Sequence, residues 1–408
     1  EGVERALVLF GSTPRGTAYA IFEVSRLMGV SPYIWWADVV PPHKDRLYAS
    51  AGLSVTDEPS VKYRGIFIND EDWGIWVWAK DNFESDHGNM GPKTYAKVME
   101  LLLRLYGGHG NSDFNYATNK AMVQKYWADR VGESRGYDAI YTLGMRGVHD
   151  EGINGYPTKA DKVRGLTEII AYQRQLLADS IGDPTTIPQA FIPYKEVLDA
   201  YNAGLKVPDD VTLLWVDDNH GYIRQLPTDA EQARSGGNGI YYHLSYLGTP
   251  ASYLWLSSIS PSLISYELTK GYRNGMDTQW IINVGDIKPA EAELEFCMEL
   301  AWDIDRWTPE NAWKFTRYWM AKTFGEQTAD ELAAIKEEYY RLAASGKPEH
   351  IFKVSYTMEE MDSRIAAYEE LVSRVENIRG SVPAALQDAF YEMIEYPVKA
   401  AYYMNVKT

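Results

Sequence analysis

Cysteine is almost absent: Cys297 is the single one in 408 residues. One thiol excludes an internal disulfide framework and a multi-cysteine zinc site. It leaves the compartment open, because a chain this long buries enough core to fold without disulfides. Long apolar runs are missing too. A membrane-spanning helix needs about 18 consecutive apolar residues, none occurs, and no membrane partner is expected. Basic residues are in deficit, with 40 Lys and Arg against 57 Asp and Glu and a net charge of −17. That balance argues against nucleic acid as a partner. An anionic ligand would need a local basic pocket to overcome it. The chain begins at Glu1 without Met or signal peptide and is expected to be a processed or excised product.

Hydrophobic content of 45% and charged content of 24% are those of a globular chain, with room for two or three domains. Aromatics are the compositional outlier: 13 Trp, 30 Tyr and 11 Phe make up 13%. Trp35, Trp36, Trp73, Trp76 and Trp78 stand among polar residues, as sugar-stacking rings do. Ordinary packing of a large α/β core accounts equally well for the total.

Six segments share one design, a short β-rich apolar run that breaks into polar residues: Tyr63–Asp72, Ala139–Glu151, Gln189–Glu196, Thr212–Gly221, Gly239–Tyr246 and Gln279–Asp286. Each is too short for a helix and suits a buried parallel strand. Helical spacing separates them at Thr94–Leu105, Asn119–Val131, Asp161–Leu177 and Ser262–Arg273. The alternation predicts an α/β fold with a TIM-type (β/α) barrel over 59–306, reduced in strand count because only six strands are found. Between Leu105 and Asn119 a Gly/Asn/Ser loop joins two helices with no strand, which marks where two strands are missing.

Residues 1–58 read as a small α/β fragment, with a strand at Arg5–Phe10 and a helix from about Thr13 to Met28. GSTPRG in between lacks the Lys-Ser/Thr ending of a phosphate loop and the spacing of a dinucleotide fingerprint. Residues 307–408 read as an α-helical bundle, with helices near 309–324, 328–344, 357–379 and 383–403. Thr308 and Pro309 are the expected cap and first turn of the first helix. The charge-rich faces Asp330–Arg341 and Glu359–Arg379 read as solvated surface.

In a barrel, the residues just past the strand ends form the active face. Asp70, Arg146, Asp150, Glu196, Asp217, Asn219, His243 and Asn283 would converge there. Arg146 carries a planar fork suited to a carboxylate, and Asp150 stands where an acid or base would act. An Arg146–Asp150 ion pair holding the loop is the plainer explanation. Glu196 beside aromatic residues suits a general acid, or else serves the first turn of the helix KEVLDAY. Asp217, Asp218, Asn219 and His220 end one strand. His243 lies within another, where an isolated buried histidine is ordinarily structural. Asn283, Asp286 and Lys288 end the last. No helical His pair or calcium-loop spacing is present, so neither metal nor cofactor is expected. Two carboxyl groups from different strands among Arg, His, Asn and Trp describe a glycosidase cleft.

At these residues the chain resembles glycoside hydrolase family 115, the xylan α-1,2-glucuronidases. The matching phrases are VKYRGIFINDEDWG, GPKTYAKVMELLLRL, IYTLGMRGVHDEG, AFIPYKEVLDAY, LLWVDDNHGYIRQLP, RSGGNGIYYHLSYLGTPASYLWLSS and WIINVGDIKPAE. GVERALVLFGSTPRGTAYAIFEVSRLMGVSPYIWWADV resembles the end of the family's N-terminal domain, and the later helices, ending in EYPVKAAYYMN, resemble its bundle. The resemblance implies a (β/α)8 barrel that removes (4-O-methyl-)glucuronic acid from xylan with inversion. By matching motif Asp150 and Glu196 are the catalytic carboxylates, Glu196 favoured as acid and Asp150 as base, with the roles exchangeable. Asp70, Arg146, Asp217, Asn219, His243 and Asn283 resemble the pocket around the uronic acid, where Arg146, helped by His243, would draw in the anion. Glucuronoxylan or an acidic xylo-oligosaccharide is the implied partner, and a secreted or periplasmic location is expected.

The chain departs from the pattern where YGGHGNSDF replaces a longer segment with two strands and a Trp/His/Glu-bearing substrate region. It also lacks the family's longer N-terminal and C-terminal β-rich domains. A second reading is therefore an impaired or engineered derivative that binds acidic glycan or serves as a scaffold. Unsealed strand edges would favour a homo-oligomer.

Overall fold

The structure is a computed structural model that describes residues 6–34, 36–50, 52–68, 114–147, 151–249, 251–285 and 287–408. Each of the six apolar runs contains a strand: β1 (Tyr63–Ile68), β2 (Tyr141–Leu143), β3 (Gln189–Phe191), β4 (Thr212–Val216), β5 (Asn238–His243) and β6 (Gln279–Gly285). All pair in parallel, in the order β1-β6-β5-β4-β3-β2. β4, β5 and β6 are covered on both faces, which is why their sequences do not alternate.

The order is informative. Chain neighbours pair from β2 to β6, and then β6 returns to pair with β1 over Tyr63–Ile68. Among the described residues that is a cyclic order in which β1 and β2 alone, of the chain neighbours, do not pair. A doubly wound sheet would instead reverse direction at a central strand. All six strands point the same way, so their carboxyl ends lie along one rim.

Helices flank the sheet. Lys159–Ser180 starts with a capping box in which Thr158 and Asp161 exchange hydrogen bonds. Pro261–Arg273 starts with Ser260 as cap and Pro261 in the first turn. Lys120–Ser134 follows the expectation for 119–131. Beyond Trp307, Lys314–Phe324, Glu326–Ser345, Met358–Ile378 and Tyr396–Lys407 pack on one another.

Some expectations need correction. Ala6–Phe10 forms no strand, and Leu7, Val8 and Phe10 are exposed, because nothing among the described residues pairs with it. Thr308 caps no helix. Its carbonyl accepts from Asn311 and Ala312, while Asn311 Nδ2 donates to Arg306 O and Trp313 Nε1 to Glu310 O. These local bonds hold turns until the helix starts at Lys314. Residues 383–403 are not one helix: a 3₁₀ turn, a short helix and a π turn at Tyr391–Glu395 precede Tyr396–Lys407. Pro397 has no N–H to donate, and the wider turn before it accommodates that loss. The expected helix Thr94–Leu105, the stretch 106–113, Trp35, Trp73, Trp76 and Trp78 lie outside the described residues.

Candidate active site

The rim gathers the expected residues in strand order. Arg146 follows β2, Glu196 follows β3, Asp217 and Asn219 follow β4, His243 ends β5 and Asn283 lies in β6. His243 and Asn283 are direct register partners, as are Asn283 and Phe67 of β1. Asp70, Asp150 and Asp286 lie outside the described residues.

Arg146 and Glu196 form a two-pronged pair, Nε to Oε1 at 3.0 Å and a terminal guanidinium nitrogen to Oε2 at 3.0 Å. Both side chains are largely covered, at 22% and 16% exposure, so solvent screens this pair less than a surface one. Glu196 opens the helix Glu196–Asn202, whose preceding residue Lys195 takes a left-handed backbone (φ 49°). That kink turns the chain from β3 into the helix while leaving Glu196 at the rim. Gly152, two positions after Asp150 in sequence, packs against the Glu196 carboxyl. A Cβ there would stand 3.6 Å from Cδ.

Asp217 and His243 form the second pair. His243 Nδ1 and Asp217 Oδ1 are 2.5 Å apart, and Asp217 Oδ2 accepts the Gly221 amide at 2.8 Å. Both side chains are enclosed, at 4% exposure for His243 and 0% for Asp217. Arg146 and His243, expected to meet an anionic sugar, therefore each sit beside a carboxylate of the protein.

Tyrosines link these pairs. The Arg146 guanidinium lies 5.4 Å from the Tyr194 ring centre. Tyr194 Oη donates to Asn219 Oδ1 at 2.8 Å, and its ring lies 6.2 Å from that of His243. Tyr241 and Tyr246 flank the imidazole edge-on at 5.3 and 5.5 Å. Asn283 Nδ2 donates to Tyr241 Oη at 3.0 Å, while its Oδ1 accepts the Gly285 amide. Contacts thus run unbroken from β2 to β6. Sequence reasoning singled out none of Tyr194, Tyr241, Tyr246 or Tyr253. The signal available for Tyr194, Tyr241 and Tyr246 was their crowding into the strand-end phrases IPYKE and IYYHLSY; Tyr253 carried none. Asp218 pairs with Arg224 on the outside, and Lys288 pairs with Glu392 of the C-terminal helices. Among the described residues no cluster of His, Cys, Asp and Glu could hold a metal ion.

A parallel α/β sheet with carboxylates, a guanidinium, amides and tyrosines along its carboxyl rim defines an enzyme-like class, with polar groups suited to a hydroxyl-rich ligand. The family follows from comparison. The model of glycosyl hydrolase family 115 matches residues 56–109 and 106–350, and the chain belongs to that family. It is similar to the solved structure of BtGH115A, described as a 4-O-methyl-α-glucuronidase with specificity for decorated arabinogalactans. The two are 40% identical with a TM-score of 0.87, over 97% of this chain and 61% of that one. This chain thus spans about three fifths of that relative's length. A second solved structure, a GH138 enzyme targeting pectin rhamnogalacturonan II, is 12% identical over 97% of this chain and 62% of its own. Its TM-score of 0.49 is too slight to carry an argument. No curated protein matches the chain.

Proposed function

We propose that the chain is an inverting α-glucuronidase that removes (4-O-methyl-)glucuronic acid from an acidic glycan, with Glu196 as acid and Asp150 as base. The observation that carries this reading is the Arg146–Glu196 pair at the carboxyl rim, with Gly152 against the same carboxyl. A uronate entering beside Arg146 would compete for its fork, and Glu196, freed from the guanidinium and taking up a proton from solvent, would then face the glycosidic oxygen as acid. Inversion needs a water between base and sugar, and so a carboxyl separation of roughly 6.5–9.5 Å. Asp70, Asp217, Asn219, His243 and Asn283 would line the sugar pocket. No helix among the described residues is long and apolar enough to cross a membrane. A secreted or periplasmic setting fits a polymeric substrate.

Xylan is the polymer that the resemblance implies. Decorated arabinogalactan is the second candidate, favoured by the 40% identical relative. We read the sheet as a (β/α) barrel of reduced strand count. The boundary between the two matched segments falls at YGGHG, where the sequence departs from the family pattern. The corresponding division is a fragment over 1–58, a barrel over 59–306 and a helical bundle over 307–408.

Incubation with glucuronoxylan and with uronate-decorated arabinogalactan tests the reading. Uronic acid is expected from one or both, first as the β-anomer by proton NMR. Glu196→Ala and Asp150→Ala should each abolish release. No release by the unmodified chain, or full activity in both variants, overturns the assignment. Uronic-acid binding by calorimetry without turnover would instead support the silent glycan-binding reading.

A further inference from the structure

The connection between the helices Glu326–Ser345 and Met358–Ile378 reaches back to the rim. Glu349, in the short 3₁₀ helix Pro348–Lys353, accepts from three consecutive backbone amides. Leu254 N stands 2.9 and 3.1 Å from its two oxygens, Trp255 N 3.1 Å and Leu256 N 3.2 Å away. Successive amides aimed at one point form an anion-binding nest, and their loop keeps that shape only while the anion is there. Lys347, two residues earlier, donates to Ser258 Oγ at 2.6 Å and sits 4.2 Å over the Tyr253 ring. His350 Nε2 meets Ser252 O at 2.9 Å.

The loop held in this way bears on the candidate site. Tyr253 is fully buried, bridges to Tyr246 by two backbone bonds, and donates from Oη to the Asn219 carbonyl at 2.8 Å. Asn219 has a left-handed backbone (φ 68°), a conformation that persists in a non-glycine residue only where its surroundings over-determine it. Here Tyr253 fixes its carbonyl and Tyr194 its side-chain oxygen. Tyr194 in turn lies under Arg146, which grips Glu196.

We propose that Lys347 and Glu349 are positioning residues for this rim, holding the 251–258 segment so that Tyr253 fixes Asn219 and, through Tyr194, the Arg146–Glu196 pair. The inference deepens the glucuronidase reading and rests on it for its catalytic consequence. Purely internal fastening of the helices would require no contact with Asn219, whereas Tyr253 makes one. Charge adds a pH signature. Burial pushes the Lys347 amine down to about 7 against the pull of Glu349 and Asp217. The titratable groups around Tyr253 also include Asp217, Asp218, Tyr246 and Glu349, with His220 stacked at 5.8 Å and His350 edge-on at 5.9 Å; burial raises the Glu349 carboxyl against the three amides that hold it charged. Burial holds both histidines below their usual value, so they lose their protons at lower pH than Lys347. As pH rises through about 7, Lys347 loses its charge over Tyr253 and the clamp slackens.

Lys347→Met and Glu349→Gln test this on the full chain. Lys347→Met removes an enclosed amine for an apolar side chain of similar length, so the fold is expected to survive with Tm unchanged or raised. Hydrogen exchange should accelerate about tenfold at 217–223 and 193–198 in both variants, beyond the clamp itself. On a uronoside, KM of the unmodified protein should rise as pH passes about 7, and Lys347→Met should lack that inflection. Unchanged exchange at 217–223 and 193–198 overturns the inference whether or not uronic acid is released. If exchange responds but the unmodified chain releases no uronic acid, the glucuronidase reading fails and the positioning contact stands.

Discussion

Arg146 commits both prongs of its guanidinium to Glu196 and its face to Tyr194. A lysine offers one point charge and neither the fork nor the flat face. Arg146→Lys is therefore expected to lower uronoside turnover by on the order of tenfold or more and cost ~1–3 kcal/mol of stability. Steady-state kinetics and urea titration check the two parts. The sequence made Arg146 and Glu196 visible separately, each as a polar residue after a buried run. It did not make their pairing visible, because the partner nearest in sequence, Asp150, is the natural first choice. The tyrosines between the pairs were harder still, since an aromatic in a strand phrase reads equally as core.

Among the elements, the helix Lys159–Ser180 packs along the strand that delivers Arg146. Gln173 bonds the Gly144 backbone in both directions, at 2.8 and 3.0 Å, just beyond β2. Its start depends on the reciprocal Thr158–Asp161 capping box. Thr158→Ala should cost about 1 kcal/mol, read as a lower Tm, with little change in KM. All six strands were legible because a run covered on both faces must be apolar and β-rich whatever its partners. The turn at Thr308–Trp313 and the π turn before Pro397 were not legible. Side-chain bonds from Asn311 and Trp313 to backbone carbonyls, and the space needed at Pro397, are tertiary choices without periodicity. Lys347 and Glu349 carry no pattern at all. Lone charges in a connection become informative only once the loop at 254–258 is seen against them.

Across the whole molecule, the junction of the sheet's last helix, Glu291–Trp302, and the C-terminal helices contains buried acid. Burial, and then the neighbouring Glu392, push the Glu291 carboxyl well above its ordinary 4.5. One oxygen each of Glu291, Glu293 and Glu392 has no hydrogen-bond partner among the described residues. A raised carboxyl holds a proton in the folded state that the unfolded chain releases. Its contribution is complete below pH 4.5 and declines as pH rises toward the folded value. Glu291→Gln keeps the shape and removes the penalty, so it should raise stability by roughly 1–3 kcal/mol at neutral pH and much less under acid conditions. Thermal unfolding of both proteins across that range reads the difference.

Among the described residues β1 and β2 do not pair, yet β1 is registered on β6 along its whole length. Described residues before β1 are further tied to the helix Glu291–Trp302. Tyr33 Oη bonds the Glu291 carbonyl, the Ser60 and Val61 amides bond Trp302 and Ala301, and Trp302 Nε1 bonds Asp57. A nick at 115–119 would cut no described strand and would leave the β1–β6 pairing as the joint between the two pieces, so the molecule lends itself to assembly from two separately made polypeptides, the shorter docking its strand on the edge of β6.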